Sequence, residues 1–168
     1  MLPLNILNFS TNDREGGSAR SAQRIHDGLR KKKYTSRMLV GTKNSTDADV
    51  NSVFISLAAN RLATWSNIVL QKVGLPYNWI PSTNHVLSHP WVKEADIIQL
   101  FNIHGGYFNP TILSKLSNGR PIVWRLSDMW PMTGHCAYPD KCERWKIGCG
   151  ECPDLNTYPP IGHDTSHW

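Results

Sequence analysis

Short apolar runs that alternate with segments of helical periodicity restrict the fold of this 168-residue chain more than any other feature. Runs of this length, bounded by turn-forming residues, are typical of strands in a buried sheet. Strands in alternation with helices favour an α/β fold, in which helices flank a parallel sheet. The predicted strands are LNILNF at 4–9, RMLV at 37–40, DIIQLFNI at 96–103 and IVWRL at 122–126.

The segments between these runs carry apolar residues three or four positions apart, which is the spacing of one helix face. The longest of them reads as one helix or as two joined helices, and a Gly-Leu-Pro sequence ends it. Other stretches are polar, or rich in Pro and Asn, and predict loops. The predicted helices cover 18–29 with Ser18 as N-cap, 53–73 and 109–116, and the predicted loops are 42–51 and 77–89.

The composition is that of a folded globular protein, with 40% hydrophobic and 18% charged residues, so an intrinsically disordered chain is excluded. No apolar run approaches the roughly 18 residues that a membrane-spanning helix needs. The first residues lack the basic and long apolar regions of a signal peptide. We therefore expect a single cytoplasmic domain over residues 1–168, in a compartment where thiols stay reduced.

The formal net charge is +5, and much of the excess lies in the Arg30–Lys33 cluster with Arg37 close behind. Such a cluster could contact anionic lipid headgroups or phosphates, with the protein held peripherally at the inner face of the membrane. It could equally be the solvated C-terminus of a helix, where cations complement the dipole. No basic and aromatic residues interleave in the manner of nucleic-acid-binding proteins, so we expect no nucleic-acid partner.

All the cysteines of the chain fall in one short segment, which we call the Cys-rich loop, residues 134–153. Zinc takes four thiolates tetrahedrally, and a C-x2-C pair can offer two of them from one turn. A structural zinc is therefore one interpretation, and reduced buried thiols or disulfides are the others. The spacings of iron–sulfur proteins are not present, and His135 or His163 could replace one sulfur. The candidate ligands are Cys136, Cys142, Cys149 and Cys152.

Ligands of open parallel sheets bind beyond the carboxyl ends of the strands, so the residues that follow the predicted strands are candidate site residues. The sequence Gly16-Gly17-Ser18 joins the first strand to a helix. Glycines let the backbone approach a ligand, and a helix N-terminus favours anions, so a phosphate or diphosphate is one interpretation. A plain tight turn is the other.

Two further candidates follow later strands. His104, ahead of Gly105 and Gly106, could act as a general base or hold a phosphate or sugar hydroxyl; alternatively it is a partly buried structural histidine. Asp128 could bind hydroxyl groups or act as a base, or it could cap the turn that follows.

Several segments together resemble a cysteine-bearing branch of the group 1 (family 4) glycosyltransferases, which act in bacterial polysaccharide synthesis. The most specific are DMWPMTGHC at 128–136, CERW at 142–145 and CGECP at 149–153. The loop 16–19 and the segment 102–106 resemble the same branch in order and placement. The likeness extends over most of the chain.

The resemblance implies a GT-B fold, in which two Rossmann-like domains face a cleft. The N-terminal domain mainly handles a glycan or lipid-linked acceptor, and the C-terminal domain mainly holds a nucleotide-sugar donor. Members typically retain anomeric configuration and need no catalytic metal. By this resemblance Gly16, Gly17 and Ser18, with Gly105 and Gly106, belong to the diphosphate and acceptor loops, and His104 and Asp128 are the catalytic candidates.

Two features depart from the family pattern. Many relatives carry a histidine directly before the aspartate, where this chain has Ser127. A complete enzyme of two domains would also be about twice as long, so we expect a donor domain to be supplied in cis or in trans. The alternative is a non-catalytic, zinc-stabilised binding module of the same fold. A nucleic-acid-binding zinc protein is disfavoured, because no recognition helix is evident near the cysteines.

Overall fold

A five-stranded parallel sheet organises the protein, as seen in a computed structural model that describes residues 3–80 and 83–165. The strand order is β3-β2-β1-β4-β5, and every neighbouring pair is parallel. This is the order of a Rossmann-like sheet, which reverses direction between β1 and β4. The predicted α/β fold is confirmed. The strands are β1 (Asn5–Asn12), β2 (Thr35–Thr42), β3 (Val50–Ser52), β4 (Ile97–Leu100) and β5 (Ile122–Trp124).

The central strand β1 is buried on both faces, which explains its continuous apolar run. It pairs with β2 from Asn5 opposite Thr35 to Asn12 opposite Thr42, and with β4 on its other side. Phe9 stacks edge-on against Phe108 at 5.5 Å between ring centroids, which ties the sheet to the chain that follows β4.

Five helices accompany the sheet within residues 3–80 and 83–165: α1 (Gly17–Lys31), α2 (Leu57–Lys72), α3 (Thr83–Val86), α4 (Pro90–Glu94) and α5 (Leu113–Ser117). Short 3-10 turns cover Pro110–Ile112, Trp130–Met132 and Arg144–Ile147. Helix α1 buries Ala19, Ala22 and His26 against the sheet side. None of the helices in the described part of the chain is long and apolar enough to cross a membrane.

The predicted first residues of two helices are wrong. Ser18 is not the N-cap of α1, because the helix begins at Gly17 and Gly16 is the cap, at a φ of 84° that glycine adopts easily. The segment predicted as helix from residue 53 is a single helix that begins later, at Leu57. Ser56 caps it, and its Oγ accepts a hydrogen bond from the Ala59 amide at 3.1 Å.

Other elements were missed or misjudged in length. Strand β3 lies at the end of the predicted loop 42–51 and is too short to show an alternation. Helix α3 lies within the predicted loop 77–89, of which Pro81 and Ser82 are outside the described residues. The strands predicted at 96–103 and 122–126 are both shorter, because their last residues leave the sheet and enter the loops beyond it.

The C-terminal part of the described chain packs against the end of α2. Gly162 donates its amide hydrogen to the Gln71 carbonyl at 2.8 Å, and Thr165 Oγ1 donates to the Gly74 carbonyl at 2.5 Å. The two backbones approach so closely that a Cβ atom added at Gly162 would overlap the Lys72 backbone. The tail therefore approaches α2 at Gly162 in a way that only glycine permits, and a main-chain and a side-chain hydrogen bond hold it there.

We expect His26 to make the stability of the fold pH-dependent. The ring is fully buried, and its Nδ1 lies 2.9 Å from Ser36 Oγ. Burial, followed by the positive charge of Arg30, lowers the pKa of His26 below its usual value of 6.5. The unfolded chain therefore binds more protons than the folded chain below pH 6.5, so the free energy of unfolding falls as the pH drops through that value.

Urea unfolding of wild type and His26→Asn at several pH values between about 5 and 8 tests this expectation. The variant should show a flatter pH dependence, since Asn can keep one hydrogen bond and does not titrate. His85→Asn, at an exposed histidine, is the control and should keep the wild-type slope. Parallel profiles for wild type and His26→Asn would contradict the assignment.

Candidate functional site

A cleft of about 560 Å³ opens at the carboxyl ends of β1, β4 and β5. It therefore lies at the point where the strand order reverses, which is where open α/β sheets bind their ligands. Its walls come from the end of β1, the start of α1 and the segments that follow β4 and β5. The lining residues are Thr11, Glu15, Gly16, Gly17, Ser18, Ala19, Ser21, Asn102, Arg125, Leu126, Ser127 and Tyr138.

The wall of the cleft that α1 forms is suited to bind an anion. No side chain of the described residues caps the start of α1, where the first amide hydrogens of a helix have no partner within the helix. Ser18 Oγ is buried there without a hydrogen-bond partner among the described residues. Unpaired helix N-termini bind phosphate and carboxylate groups through amide hydrogens and the helix dipole. The guanidinium-bearing Arg125 lines the same cleft and adds a full positive charge.

A buried histidine–aspartate pair lies behind this cleft. His104 Nε2 is 2.9 Å from Asp128 Oδ2, and the two side chains are only 6% and 5% exposed. Asn102 Nδ2 donates to the same carboxylate oxygen at 3.0 Å. The Trp130 amide donates to the other oxygen, Oδ1, at 3.1 Å. Both oxygens of Asp128 are thus occupied, and the carboxylate joins the segment that follows β4 to the segment that follows β5.

Two aromatic rings cover the pair. The Trp130 ring lies 5.5 Å and the Tyr158 ring 5.9 Å from the His104 ring, measured between centroids. Burial, and then the charge of Asp128, raise the pKa of Tyr158. His104 Nδ1 is buried without a hydrogen-bond partner among the described residues. His104 is therefore enclosed in this structure, with one ring nitrogen held and the other free of protein partners.

Asn102 connects the two parts of the site. It lines the cleft, and its side chain also donates to Asp128. Its carbonyl oxygen accepts a hydrogen bond from the buried Tyr107 hydroxyl at 2.8 Å. Because both ends of this residue are held, its amide is a fixed feature of the cleft wall.

The structure brings together most, but not all, of the residues chosen from the sequence. Gly16, Gly17 and Ser18 line the cleft, and His104 with Asp128 forms the adjacent pair. Gly105 and Gly106 are not part of the cleft lining. Both have positive φ angles, 112° and 79°, and they turn the chain against Thr11 and Asn67.

Arg125 and Tyr138 are lining residues that sequence reasoning missed. Arg125 was counted within the predicted strand 122–126. In the structure β5 ends at Trp124, and Arg125 follows the strand and lines the cleft. A basic residue at the end of an apolar run was the available signal. Tyr138 belongs to the Cys-rich loop and reaches the cleft through tertiary structure alone.

The four cysteines line one small cavity of about 30 Å³, together with His135 and Arg144. All four are free thiols, half-buried. Burial, with smaller contributions from the neighbouring thiols, raises the pKa of Cys136 and Cys152. His163, the other histidine considered as a ligand, does not line this cavity. Within residues 3–80 and 83–165, no group of three or more His, Cys, Asp or Glu side chains is arranged to hold a metal ion as it stands.

The chain is similar to the putative colanic acid biosynthesis glycosyl transferase WcaC of Escherichia coli (strain K12), with 28% identity over 186 aligned positions. The alignment covers 98% of this chain and 43% of that protein, so the chain spans less than half the length of its relative. No protein-family model matches the chain, and no solved structure matches it.

Proposed function

We propose that this chain is the acceptor-side part of a glycosyltransferase, which transfers a sugar from a nucleotide-sugar donor to a glycan or lipid-linked acceptor in polysaccharide synthesis. The observation that carries the proposal is the cleft at the strand reversal, with the uncapped start of α1 and Arg125 on its walls. Similarity to WcaC over nearly the whole chain supports the same class of activity. The fold and the sequence resemblance to family 4 are consistent with one half of a GT-B enzyme.

The uncapped helix start supplies the electrostatic part of the mechanism. Gly17, Ser18 and Arg125 line the cleft, and their amide hydrogens and guanidinium would stabilise the negative charge that a diphosphate gains as the sugar departs. Fixed donors aimed at developing charge lower the barrier without reorganisation. In this proposal the amides and the guanidinium, rather than a catalytic metal, stabilise the leaving group.

The histidine–aspartate pair orients one hydrogen-bond acceptor, the Nδ1 atom of His104. When His104 Nε2 carries the proton and donates it to Asp128, Nδ1 presents a lone pair. We assign that lone pair to a hydroxyl of the sugar or the acceptor, which would reach it past Trp130 and Tyr158 from the direction of the cleft. Asp128 positions the ring, and Asn102 and Trp130 hold Asp128.

A second Rossmann-like domain would complete the enzyme, either in the same polypeptide or as a separate partner, and would hold most of the nucleotide sugar. The overall test is therefore transfer of isotope-labelled sugar from a panel of nucleotide sugars to lipid-linked acceptors, with protein from the complete reading frame. Transfer supports the proposal. Binding of glycan without transfer from any donor would favour the alternative, a non-catalytic binding module.

The anion site can be tested on this chain alone through Gly17. A Cβ at Gly17 meets nothing within 4 Å, so Gly17→Ala should fold normally, yet the methyl group lies where a diphosphate must approach the helix start. Losing one charge-assisted hydrogen bond costs about 1.5–3 kcal/mol, which corresponds to roughly 10- to 100-fold weaker binding. Isothermal titration with pyrophosphate and with uridine and guanosine diphosphates measures the change.

Gly28→Ala is the matched control, since it lies in the same helix and a Cβ there also meets nothing within 4 Å. Both variants should stabilise α1 by up to about 1 kcal/mol through helix propensity. Only Gly17→Ala should weaken diphosphate binding. Equal affinity in both variants would contradict an anion site at the start of α1.

Contact with an anionic membrane surface is proposed for the basic face of α1 together with Lys32 and Lys33, which follow its end at Lys31. Arg30 is engaged by Asp47 at 2.7 Å and by Asp49 at 3.5 Å. Lys31, Lys32 and Lys33 are exposed and form no ion pair within the described chain. Arg20, Arg24 and Lys31 are exposed and share one face of the helix.

We expect neutralisation of Lys31, Lys32 and Lys33 to Gln to weaken binding to vesicles rich in phosphatidylglycerol. Each basic residue near an anionic surface contributes about 1 kcal/mol, so the triple variant should bind roughly 100-fold more weakly. A sedimentation assay at low and high salt measures the difference. The charge-matched control neutralises three exposed lysines on other elements, Lys72, Lys93 and Lys115. Equal binding by the two triple variants would argue against the α1 face.

A further inference from the structure

We propose that Cys136, Cys142, Cys149 and Cys152 bind one zinc ion as four thiolates, and that this metal fixes the Cys-rich loop against the covered histidine–aspartate pair. The site would be structural, because four protein ligands leave no open position. The inference is independent of sugar transfer, since it concerns only the described residues of the loop. It would remain if the proposed function failed.

Convergence of the thiols is the first argument. Residues up to sixteen positions apart in the sequence, Cys136 and Cys152, line the same cavity as the two cysteines between them. Its volume of about 30 Å³ suits a single ion. Each Sγ is placed by one χ1 angle, so rotation among staggered rotamers can redirect a sulfur towards the cavity without moving the backbone.

The surroundings of the sulfurs are the second argument. Gly134 donates its amide hydrogen to Cys149 Sγ at 3.2 Å, a bond that a thiolate accepts more strongly than a thiol. Arg144 lines the cavity and donates to the Gly150 carbonyl at 2.9 Å. Four thiolates around a divalent ion leave a net negative charge, which the Arg144 guanidinium, also 3.8 Å from the Glu151 carboxylate, offsets in part. Such outer hydrogen bonds and charges are what supports a metal site.

The backbone between the last two cysteines is the third argument. Gly148, Cys149, Gly150 and Glu151 have successive positive φ angles of 93°, 63°, 75° and 47°. The left-handed conformation costs roughly 1–2 kcal/mol at each residue other than glycine. The turn brings Cys149 and Cys152 to the same cavity, and no disulfide holds it. Metal–sulfur bonds would compensate for the free-energy cost of the left-handed conformation at Cys149 and Glu151.

The loop is linked to the pair through Ala137, which follows Cys136 and is fully buried. Its carbonyl accepts from the Met129 amide at 2.9 Å, and its amide donates to the Tyr158 carbonyl at 2.7 Å. Tyr158 is one of the two rings over His104. Zinc at the cysteines would therefore hold the aromatic cover in place.

Binding is balanced by proton release. Each thiol that becomes a ligand gives its proton to solvent as its sulfur bonds to the ion, so four thiols release four protons and zinc affinity decreases in acid. The chemistry involves no oxidant or reductant. His135 is the competing ligand, since its Nε2 lies 3.3 Å from Cys152 Sγ.

The test begins with elemental analysis and X-ray absorption spectroscopy of the purified chain. We expect about one zinc per chain and a first shell of sulfur alone, with Zn–S distances of about 2.3 Å. Cys136→Ser and Cys149→Ser should each weaken zinc binding by at least about 10-fold in a chelator competition. Glu151→Gln changes the same turn without removing a thiol and should retain zinc.

Three results would overturn the proposal. The first is a folded chain that takes up no zinc on titration and whose four thiols all react rapidly with a thiol reagent. The second is an intact mass that reveals disulfides in protein purified without oxidant. The third is a nitrogen atom in the first shell, which would place His135 among the ligands. If a serine variant fails to fold, the X-ray absorption spectrum of the wild-type chain is by itself sufficient to test the four-thiolate site.

Discussion

Asp128→Asn should reduce sugar transfer by about 100-fold or more in the complete enzyme, within the range that a general acid–base group contributes. Asn can still accept from the Trp130 amide with Oδ1. In place of Oδ2, however, it presents an NH2 group to two donors, His104 Nε2 and Asn102 Nδ2. His104 can then satisfy the contact only by carrying its proton on Nδ1. The lone pair that we assign to a substrate hydroxyl is lost, as in other sites where an amide imposes the wrong tautomer.

The measurement is kcat/KM together with the nitrogen chemical shifts of the His104 ring, which report the tautomer directly. Asp128→Asn should remain folded, with a loss of about 1–3 kcal/mol for the unpaired donor. His85→Asn, at an exposed histidine remote from the cleft lining, should keep wild-type activity. Wild-type transfer by Asp128→Asn, with the proton moved to Nδ1, would show that the pair is structural only.

Gly41→Ala should destabilise the fold by about 1–3 kcal/mol, the usual cost of overpacking a core. A Cβ at this position would lie 2.7 Å from Tyr107 Cβ and 2.9 Å from the Thr11 carbonyl oxygen. Tyr107 is buried and cannot rotate away freely, because its hydroxyl is bound to the Asn102 carbonyl. Thr11 belongs to the cleft wall. The added methyl should therefore disturb the cleft as well as the core.

Urea unfolding gives the stability change, and pyrophosphate titration gives the effect on the cleft. Gly28→Ala serves as control, since the same substitution there meets open space and should be stabilising. A Gly41→Ala protein as stable as wild type would mean that β2 shifts to accommodate the methyl group. In that case weaker pyrophosphate binding should still accompany the shift.

The alternation of apolar runs was sufficient to predict the α/β class, because a parallel sheet buried on both faces leaves continuous apolar segments. It was insufficient for boundaries. Strand β2 extends beyond the predicted run 37–40 at both ends, since its pairing with β1 includes the polar Thr35 and Thr42. Main-chain hydrogen bonds determine where a strand ends, and side-chain hydropathy reports them only indirectly.

The site residues that could be predicted from the sequence are those that directly follow a strand. Gly16 and Gly17 could be identified because a strand and a helix meet there. The contact of His104 with Asp128 follows from the adjacency of β4 and β5, which the chain order alone does not specify. The enclosure of the pair by Tyr158 could not be foreseen, since Tyr158 lies thirty positions after Asp128, beyond a segment without regular periodicity.

The main-chain bond from Gly162 to the end of α2 has a consequence for hydrogen exchange. The Gly162 amide is protected only while the Gln71 carbonyl stays in place, at the last turn of α2. Segments whose protection depends on each other open as one cooperative unit. We therefore expect the Gly162 amide and the amides near the end of α2 to exchange at one common rate. That rate should be slower than the rate that either segment would show if it opened independently of the other.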